Sequence, residues 1–134
     1  MARRKTKGDV PLEKVIRKGC VELLRISGVE LYSNINEGKR SSWGGKELQL
    51  QGMQKGVPDI CIVFSKEIIY IEFKREGETP KNEQAWFHHK LRALGHKVLV
   101  WYSVDDAIVF IHENKEKIDL TRQIINNVSM EETK

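Results

Sequence analysis

Three polar residues lie where short apolar strands are predicted, and their types suit phosphodiester hydrolysis. Asp59 precedes the apolar run 60–64, while Glu72 and Lys74 stand two apart around the end of the next apolar run, 68–73. Side chains alternate along a strand, so Glu72 and Lys74 share one face. Burying a carboxylate and an ammonium is costly unless each has a partner. A divalent cation is a partner that suits both carboxylates.

Mg²⁺ takes a few carboxylate and carbonyl oxygens and keeps several waters. On paired antiparallel strands, Asp59 and Glu72 could present oxygens to one ion, and the backbone carbonyl of Phe73 could add a third. Such an ion makes bound water acidic and polarises a phosphodiester. Lys74 would orient the attacking water and stabilise developing negative charge. These residues therefore predict a phosphodiesterase centre that uses Mg²⁺ or Mn²⁺.

Each of these patterns also has an ordinary structural explanation. Glu-x-Lys on one strand face is often an exposed ion pair of little energetic value, and Pro-Asp before a strand is often only a turn. Glu13 is the third observation. At about 100° per residue along the first predicted helix, Glu13 lies between Cys20 and Leu24, at the margin of the apolar stripe. A carboxylate there needs a partner, and the conjunction of the three patterns favours a functional site.

The elements that must position these residues follow from apolar periodicity and from glycine and proline punctuation. Two apolar runs joined by three polar residues predict a β-hairpin, and a long glycine-containing segment is predicted to lack regular structure. The order α-β-β-β-α-β with a helical tail predicts an α/β fold. The predicted elements are a helix over 9–27, a strand over 29–35, an unpatterned segment over 36–56, strands over 60–64 and 68–73, a helix over 79–94, a strand over 97–102, a helix or short strand over 105–114, and a helix over 118–128.

Charge and composition narrow the class of protein. The 134 residues carry a formal net charge of +4. Residues 1–55 contain more basic than acidic residues, whereas residues 56–134 contain slightly more acidic than basic residues. A basic half indicates a polyanionic partner such as DNA. Two cysteines exclude a disulfide scaffold. There is no apolar run of the roughly 20 residues that a membrane span needs, and no leader-like start, so we expect an intracellular, cytoplasmic protein of viral or bacterial origin.

An ordered set of residues spans roughly 11–104: Glu13, Gly56-Val57-Pro58-Asp59, Ile71-Glu72-Phe73-Lys74, Gln84 and Gly95. This set resembles the VRR-NUC (virus-type replication-repair nuclease) domain of the PD-(D/E)xK superfamily. The resemblance implies a restriction-endonuclease-like core, with a mixed sheet of about four strands flanked by helices, and metal-dependent DNA cleavage. We expect one such domain over 9–128, between a flexible basic tail at 1–8, which offers nothing to bury, and a frayed end at 129–134.

The resemblance also implies roles for single residues. Glu13, Asp59 and Glu72 would be metal ligands or their close support, Lys74 the catalytic lysine, and Gln84 the helix residue that completes the site. Small stand-alone family members are similar to Holliday-junction resolvases and act as homodimers. The resulting prediction is a metal-dependent, structure-selective DNA endonuclease that resolves Holliday junctions as a homodimer and leaves 5′-phosphate ends. The alternatives are a flap, nicking or restriction-like nuclease, and a non-catalytic DNA-binding subunit.

Residues outside the proposed centre have two explanations each. A basic group around Trp43 could contact phosphates and stack an exposed base, or it could be a solvated loop with Trp43 packed onto the domain. Trp86 and Trp101 are predicted to be core residues, His88 and His89 receive no catalytic role, and both cysteines are predicted to be buried thiols. The candidate DNA contacts are Lys39, Arg40, Trp43, Lys46, Lys55, Arg75 and Lys81, and the candidate dimer contacts are Ile108, Val109 and Ile111.

Overall fold

A four-stranded sheet forms the centre of the computed structural model, which describes residues 10–34 and 42–128, with residues 42–45 described by backbone only. Five helices accompany the sheet in these two ranges. In chain order the elements are α1 (Glu13–Ile26), β1 (Leu31–Ser33), α2 (Ser42–Leu50), β2 (Ile60–Phe64), β3 (Glu67–Phe73), α3 (Asn82–Ala93), β4 (Lys97–Trp101), α4 (Val104–Glu113) and α5 (Lys115–Asn126).

The sheet has the order β1-β2-β3-β4 and is mixed, as predicted. β1 and β3 both pair antiparallel with β2, whereas β4 pairs parallel with β3. A tight turn joins β2 to β3, and Lys66 adopts a positive φ of 64° there. In the β2–β3 ladder Ile60 lies opposite Ile71. Extending that register by one residue puts Asp59 opposite Glu72, so the ladder itself brings the two carboxylates together.

The apolar core lies on one face of the sheet, between the strands and the helices α1, α4 and α5. Alternation along β3 points Ile71 and Phe73 into this core, and therefore points Glu72 to the other face. α1 contributes Ile16 and Cys20, which are spaced four residues apart on one side of the helix. Full burial of an aliphatic or aromatic side chain contributes about 1.5–3 kcal/mol. This core therefore fixes β3, and with it the position of Glu72.

Most predicted elements are confirmed, with shifts at their ends. Residues 104–113 form a helix and not the alternative short strand. The prediction that 36–56 lacks regular structure is wrong in part, because α2 occupies Ser42–Leu50. The prediction missed α2 because this helix is only weakly amphipathic and contains two glycines. α3 begins at Asn82 rather than after Thr79, because the Gln84 side chain accepts a hydrogen bond from the Lys81 amide and sets the first turn there.

Both cysteines are buried free thiols, as predicted. Burial, followed by the nearby charge of Asp106, raises the pKa of Cys20 to about 12, which keeps it protonated and unreactive. Trp101 is a core residue, but the same prediction for Trp86 is wrong, because its side chain is exposed on α3. The predicted tail at 1–8 and end at 129–134 lie outside the described residues. No helix of the described part combines the length and apolar character that crossing a membrane requires.

Candidate active site

Asp59 and Glu72 meet at the end of the β2–β3 ladder, on the face of the sheet that turns away from the apolar core. Asp59 is held on two sides: one carboxylate oxygen accepts the Phe73 amide at 2.8 Å, and the other accepts Nη2 of Arg17 at 3.1 Å. The first of these bonds ties Asp59 to the strand that carries Glu72. The position of Asp59 is therefore set by backbone geometry.

Glu72 and Lys74 are buried, with 1% and 3% of their surface exposed. When both carboxyl groups are ionised, neither oxygen of Glu72 receives a hydrogen bond from the described residues. Burial raises the pKa of Glu72, while the protonated Asp59 and the positive Lys74 oppose that rise. A buried carboxylate without donors is unfavourable by several kcal/mol. Glu72 therefore lies in a position where a cation would relieve a large electrostatic penalty.

The raised pKa of Asp59 likewise indicates that additional positive charge would stabilise this site. Burial raises the pKa of Asp59 to about 8, helped by a hydrogen bond to Glu72 and by the Glu72 charge, against the lowering effects of the Phe73 amide and Arg17. Two adjacent carboxyl groups cannot both ionise cheaply. Asp59 can donate to Glu72 only while it keeps its proton. A divalent cation would replace that proton and leave both groups ionised.

Glu13 reaches this site through Arg17. Nη2 of Arg17 lies 3.4 Å from the Glu13 carboxylate and 3.1 Å from that of Asp59, so the guanidinium bridges the two acids. The negative charge of Glu13 contributes to the raised pKa of Glu72, which places Glu13 near the carboxylate pair. This geometry favours close support over direct ligation. The role assigned to Glu13 stays a prediction.

His88 is the site residue that sequence reasoning missed. It is 1% exposed, and its Nε2 lies 3.5 Å from Oε1 of Glu72. Within the described chain Nε2 has no hydrogen-bond partner at normal distance. Burial lowers the pKa of His88, with the charge of Arg92 adding to the effect, so the neutral ring is favoured. The available signal was spacing, since His88 follows Gln84 by four residues and the two share one side of α3.

Gln84 lies in the first turn of α3, where its Oε1 accepts the Lys81 amide at 2.9 Å. The loop before Asp59 packs against this turn. A Cβ on Gly56 would lie 2.5 Å from the Glu83 carbonyl oxygen, and Gly56 has a φ of +84°. Only glycine fits there. The close approach links the Asp59 loop to α3, so Gln84 and His88 are attached to the same framework as the carboxylates.

Comparisons with known proteins address the fold and the family. No family model matches the sequence. Two solved structures described as a "VRR_NUC domain" and a "VRR_NUC domain protein" superpose with TM-scores of 0.54 and 0.55. Their identities are 22% and 18%. The match covers 75% and 81% of this chain, and 94% and 88% of theirs. At these identities the two structures show the restriction-endonuclease-like fold.

A sequence relative agrees with the structural match. "Putative nuclease p44" of Acyrthosiphon pisum secondary endosymbiont phage 1 is 33% identical over 94 residues, which span 69% of this chain and 85% of that protein. The chain belongs to the VRR-NUC family. The predicted family and fold are thereby confirmed. The roles of single residues rest on the geometry of this chain.

The donor set of this VRR-NUC domain suits a hard divalent cation. Within the described residues no group of three or more His, Cys, Asp and Glu side chains is arranged to hold a metal ion. Mg²⁺ does not need such a group, because it is commonly held by one or two carboxylates together with waters and substrate phosphates. Asp59 and Glu72 supply that pair, and the donor-free oxygens of Glu72 fit the ion. The Phe73 carbonyl stays a predicted third donor.

The candidate DNA contacts of the VRR-NUC domain differ in their exposure. Lys46, Lys55 and Lys81 are exposed. Arg75 is partly buried and donates from Nη2 to the Val10 carbonyl at 3.0 Å, so it anchors the segment before α1. Trp43 belongs to α2 by its backbone, and its side chain lies outside the described structure, as do Lys39 and Arg40. Their predicted DNA contacts stay predictions.

Proposed function

We propose that this VRR-NUC nuclease is a Mg²⁺- or Mn²⁺-dependent DNA endonuclease whose centre is formed by Asp59, Glu72 and Lys74. The observation that carries the proposal is the buried Glu72 carboxylate, which has no donor among the described residues when Asp59 is ionised and lies beside Asp59 and a buried lysine. A non-catalytic DNA-binding subunit has no reason to bury this combination. Buried ionisable groups with perturbed pKa values cluster at functional sites.

Each protein group has a distinct task in phosphodiester hydrolysis. When bound, a divalent cation supplies Lewis acidity and lowers the pKa of water. Lys74 is the buried positive charge that orients the attacking water and stabilises charge developing on the phosphate. Asp59 keeps its orientation through the Phe73 amide and Arg17. Water oxygen bonds to phosphorus as the bond to the 3′-oxygen breaks, which leaves a 5′-phosphate and a 3′-hydroxyl.

The proposed substrate is branched DNA, with a four-way junction as the first choice. The support is indirect: basic charge is concentrated in the first half of the chain. The consecutive helices α4 and α5 are joined by Asn114 alone, rather than by the three- to four-residue turn of a helix-turn-helix that reads the major groove. Symmetrical cutting of a junction needs two centres, and hence a homodimer. Ile108 and Val109 are about half exposed on α4 and suit a dimer contact, whereas Ile111 packs against the core.

The decisive experiment compares cleavage of end-labelled four-way junction, flap and linear duplex in Mg²⁺ and in Mn²⁺. We expect junction cutting by the unmodified protein and none by Lys74→Ala or Glu72→Ala. Lys97→Ala is the matched control, because Lys97 lies on the neighbouring strand and is exposed. Absence of cutting on every substrate would overturn the enzyme assignment in favour of a DNA-binding subunit. Preferential cutting of flaps or linear duplex would overturn the junction assignment alone.

The homodimer is tested separately by light scattering coupled to size exclusion. We expect twice the chain mass for the unmodified protein and a monomer for Ile108→Glu combined with Val109→Glu. A monomer that still cuts junctions symmetrically would contradict the two-centre argument.

A further inference from the structure

A recess of about 510 Å³ lies on the outer side of α3, away from the carboxylate pair. It is bounded by the end of α2 and by the segment that leads into the Asp59 loop. Aromatic rings, side-chain amides and lysines line it together, with a single carboxylate among the described residues that form its wall. Its lining includes Gln49, Lys55, Glu83, Trp86, Phe87 and Lys90.

Trp86 is the unusual member of this group, because 61% of its surface is exposed whereas Trp101 is 4% exposed. Two residues of the same helix lie near its ring. His89 stacks near it, with centroids 6.2 Å apart and planes 27° from parallel. Nζ of Lys90 lies 5.6 Å from the Trp86 ring centroid and 5.0 Å from that of Phe87. An exposed flat apolar ring beside a cation and a second aromatic ring suits the stacking of a base.

The recess lies close to the proposed centre along the chain and across one helix. Trp86 and His88 are two residues apart on α3, which places them about 200° around the helix axis from each other. His88 faces Glu72, so the recess and the carboxylates lie on opposite sides of a single helix about 10–12 Å wide. Lys55 comes directly before Gly56, the residue that packs on the first turn of α3. A DNA strand at the centre therefore has a short path to the recess.

We propose that this recess binds an unpaired nucleobase of the DNA substrate, stacked on Trp86, with Lys55 and Lys90 at the neighbouring phosphates. The inference rests on the proposed DNA-cleaving function. Aromatic platforms beside positive charge are the usual way in which proteins hold single-stranded nucleic acid, and stacking tolerates any base. Bases in a duplex are already stacked on each other, so this contact distinguishes branched or gapped DNA from linear duplex. The two lysines favour nucleic acid over an apolar protein partner.

Binding is measured by fluorescence anisotropy in Ca²⁺, with a gapped duplex that contains four unpaired nucleotides and with a fully paired duplex of equal length. We expect Trp86→Ala to weaken binding of the gapped duplex about tenfold or more and to leave the paired duplex unchanged. Trp86→Phe should retain most of the affinity. Leu94→Ala is the matched control, because Leu94 is an exposed apolar residue next to the end of the same helix.

A second measurement, of 2-aminopurine fluorescence, locates the base directly. A 2-aminopurine in the gap should be quenched by the unmodified protein and not by Trp86→Ala. Equal loss of affinity for both duplexes, or no loss for either, would overturn the proposal. A changed molecular mass of Trp86→Ala with unchanged DNA affinity would also overturn it and assign the platform to a protein contact.

The proposal for the recess and the proposal for the cleavage centre can be refuted independently. Cleavage that depends on Lys74, together with gapped-DNA binding that is insensitive to Trp86, would remove the recess and leave the nuclease. Binding that depends on Trp86 without any cleavage would remove the nuclease and leave the recess. Because Trp86 is largely exposed, its replacement should not alter the melting temperature by more than the Leu94 control does.

Discussion

Two glutamates on the same strand have opposite environments. Glu67 begins β3 and pairs with Nζ of Lys117 at 2.9 Å and Nζ of Lys97 at 3.2 Å. Glu72, five residues later, is 1% exposed and has no donor among the described residues when Asp59 is ionised. The Lys117 hydrogen bond lowers the pKa of Glu67, whereas burial raises the pKa of Glu72. The sheet thus holds one carboxylate that is satisfied and one that is not.

The difference separates a structural carboxylate from a functional one. A partly exposed ion pair contributes about 0–1 kcal/mol and its loss is easily tolerated. A buried carboxylate that faces another acid lowers stability, so its presence needs an explanation beyond folding. Sequence position alone does not distinguish the two glutamates. The distinction lies in what each one contacts, and substitutions at four residues test it.

The largest expected effect is on cleavage. Glu72→Gln keeps the shape of the side chain but removes the charge that would hold a cation, so the single-turnover rate should fall by about 10³-fold or more. Glu67→Gln should leave the rate unchanged, because Glu67 lies at the far end of β3. A loss of less than tenfold for Glu72→Gln, or an equal loss for Glu67→Gln, would remove the contrast between them.

A smaller effect is expected at His88, whose Nε2 faces Oε1 of Glu72. Groups that orient a metal-binding carboxylate typically contribute 10- to 100-fold to affinity or activity. His88→Leu should weaken Mn²⁺ binding by about that factor, while His88→Gln, which retains an N–H donor, should recover part of it. The measurement is calorimetric titration of both variants. Identical affinities for His88→Leu and the unmodified protein would show that the ring only fills space.

The third effect concerns stability without metal. Because the pKa of Asp59 is raised to about 8 in the folded protein from an ordinary value near 3.8, the folded state binds the proton more tightly. The protonated Asp59 therefore stabilises the folded state at low pH, and this stabilisation is lost as pH rises through about 8. The free energy of unfolding falls by at most about 1.4 kcal/mol per pH unit. Asp59→Asn should flatten this slope. Urea unfolding in EDTA at pH 6 and at pH 8 measures how the free energy of unfolding changes with pH. An equal change in the unmodified protein and in Asp59→Asn would refute the raised pKa of Asp59.

The smallest expected effect returns to Glu67. Breaking its contacts by Glu67→Gln should lower the free energy of unfolding by less than about 1 kcal/mol, because both lysines remain hydrated. The same denaturant series checks this value. In metal-free protein at pH 8, Glu72→Gln should be neutral or stabilising, since it removes a buried charge. A destabilisation larger for Glu72→Gln than for Glu67→Gln would reverse the interpretation of both residues.

The sequence was sufficient to predict those features that depend on periodicity within one strand or one helix. The apolar runs defined β2 and β3, and alternation placed Glu72 and Lys74 on one face, where the structure buries both. The margin position of Glu13 was also informative, although its partner is Arg17, which only the fold brings to Asp59. These successes depend on contacts within one strand or one helix.

The rest depends on contacts between elements that no local pattern encodes. His88 is buried because α3 lies over Glu72, and Trp86, on the other side of that helix, is left in solvent. Both assignments follow from the rotation of α3 about its axis. The loop at Gly56 packs closely on the first turn of this helix, and contacts of this kind between elements constrain the rotation. A hydrophobic pattern containing two aromatic and two histidine residues in sequence does not specify it.

The central claim is that Asp59 and Glu72 hold a divalent cation, and calorimetric titration of the metal-free protein with Mn²⁺ at pH 8 tests it most directly. We predict one site per chain in the unmodified protein and in Glu67→Gln, and no detectable site in Glu72→Gln under the same conditions. Binding of equal affinity and stoichiometry by Glu72→Gln would contradict the account.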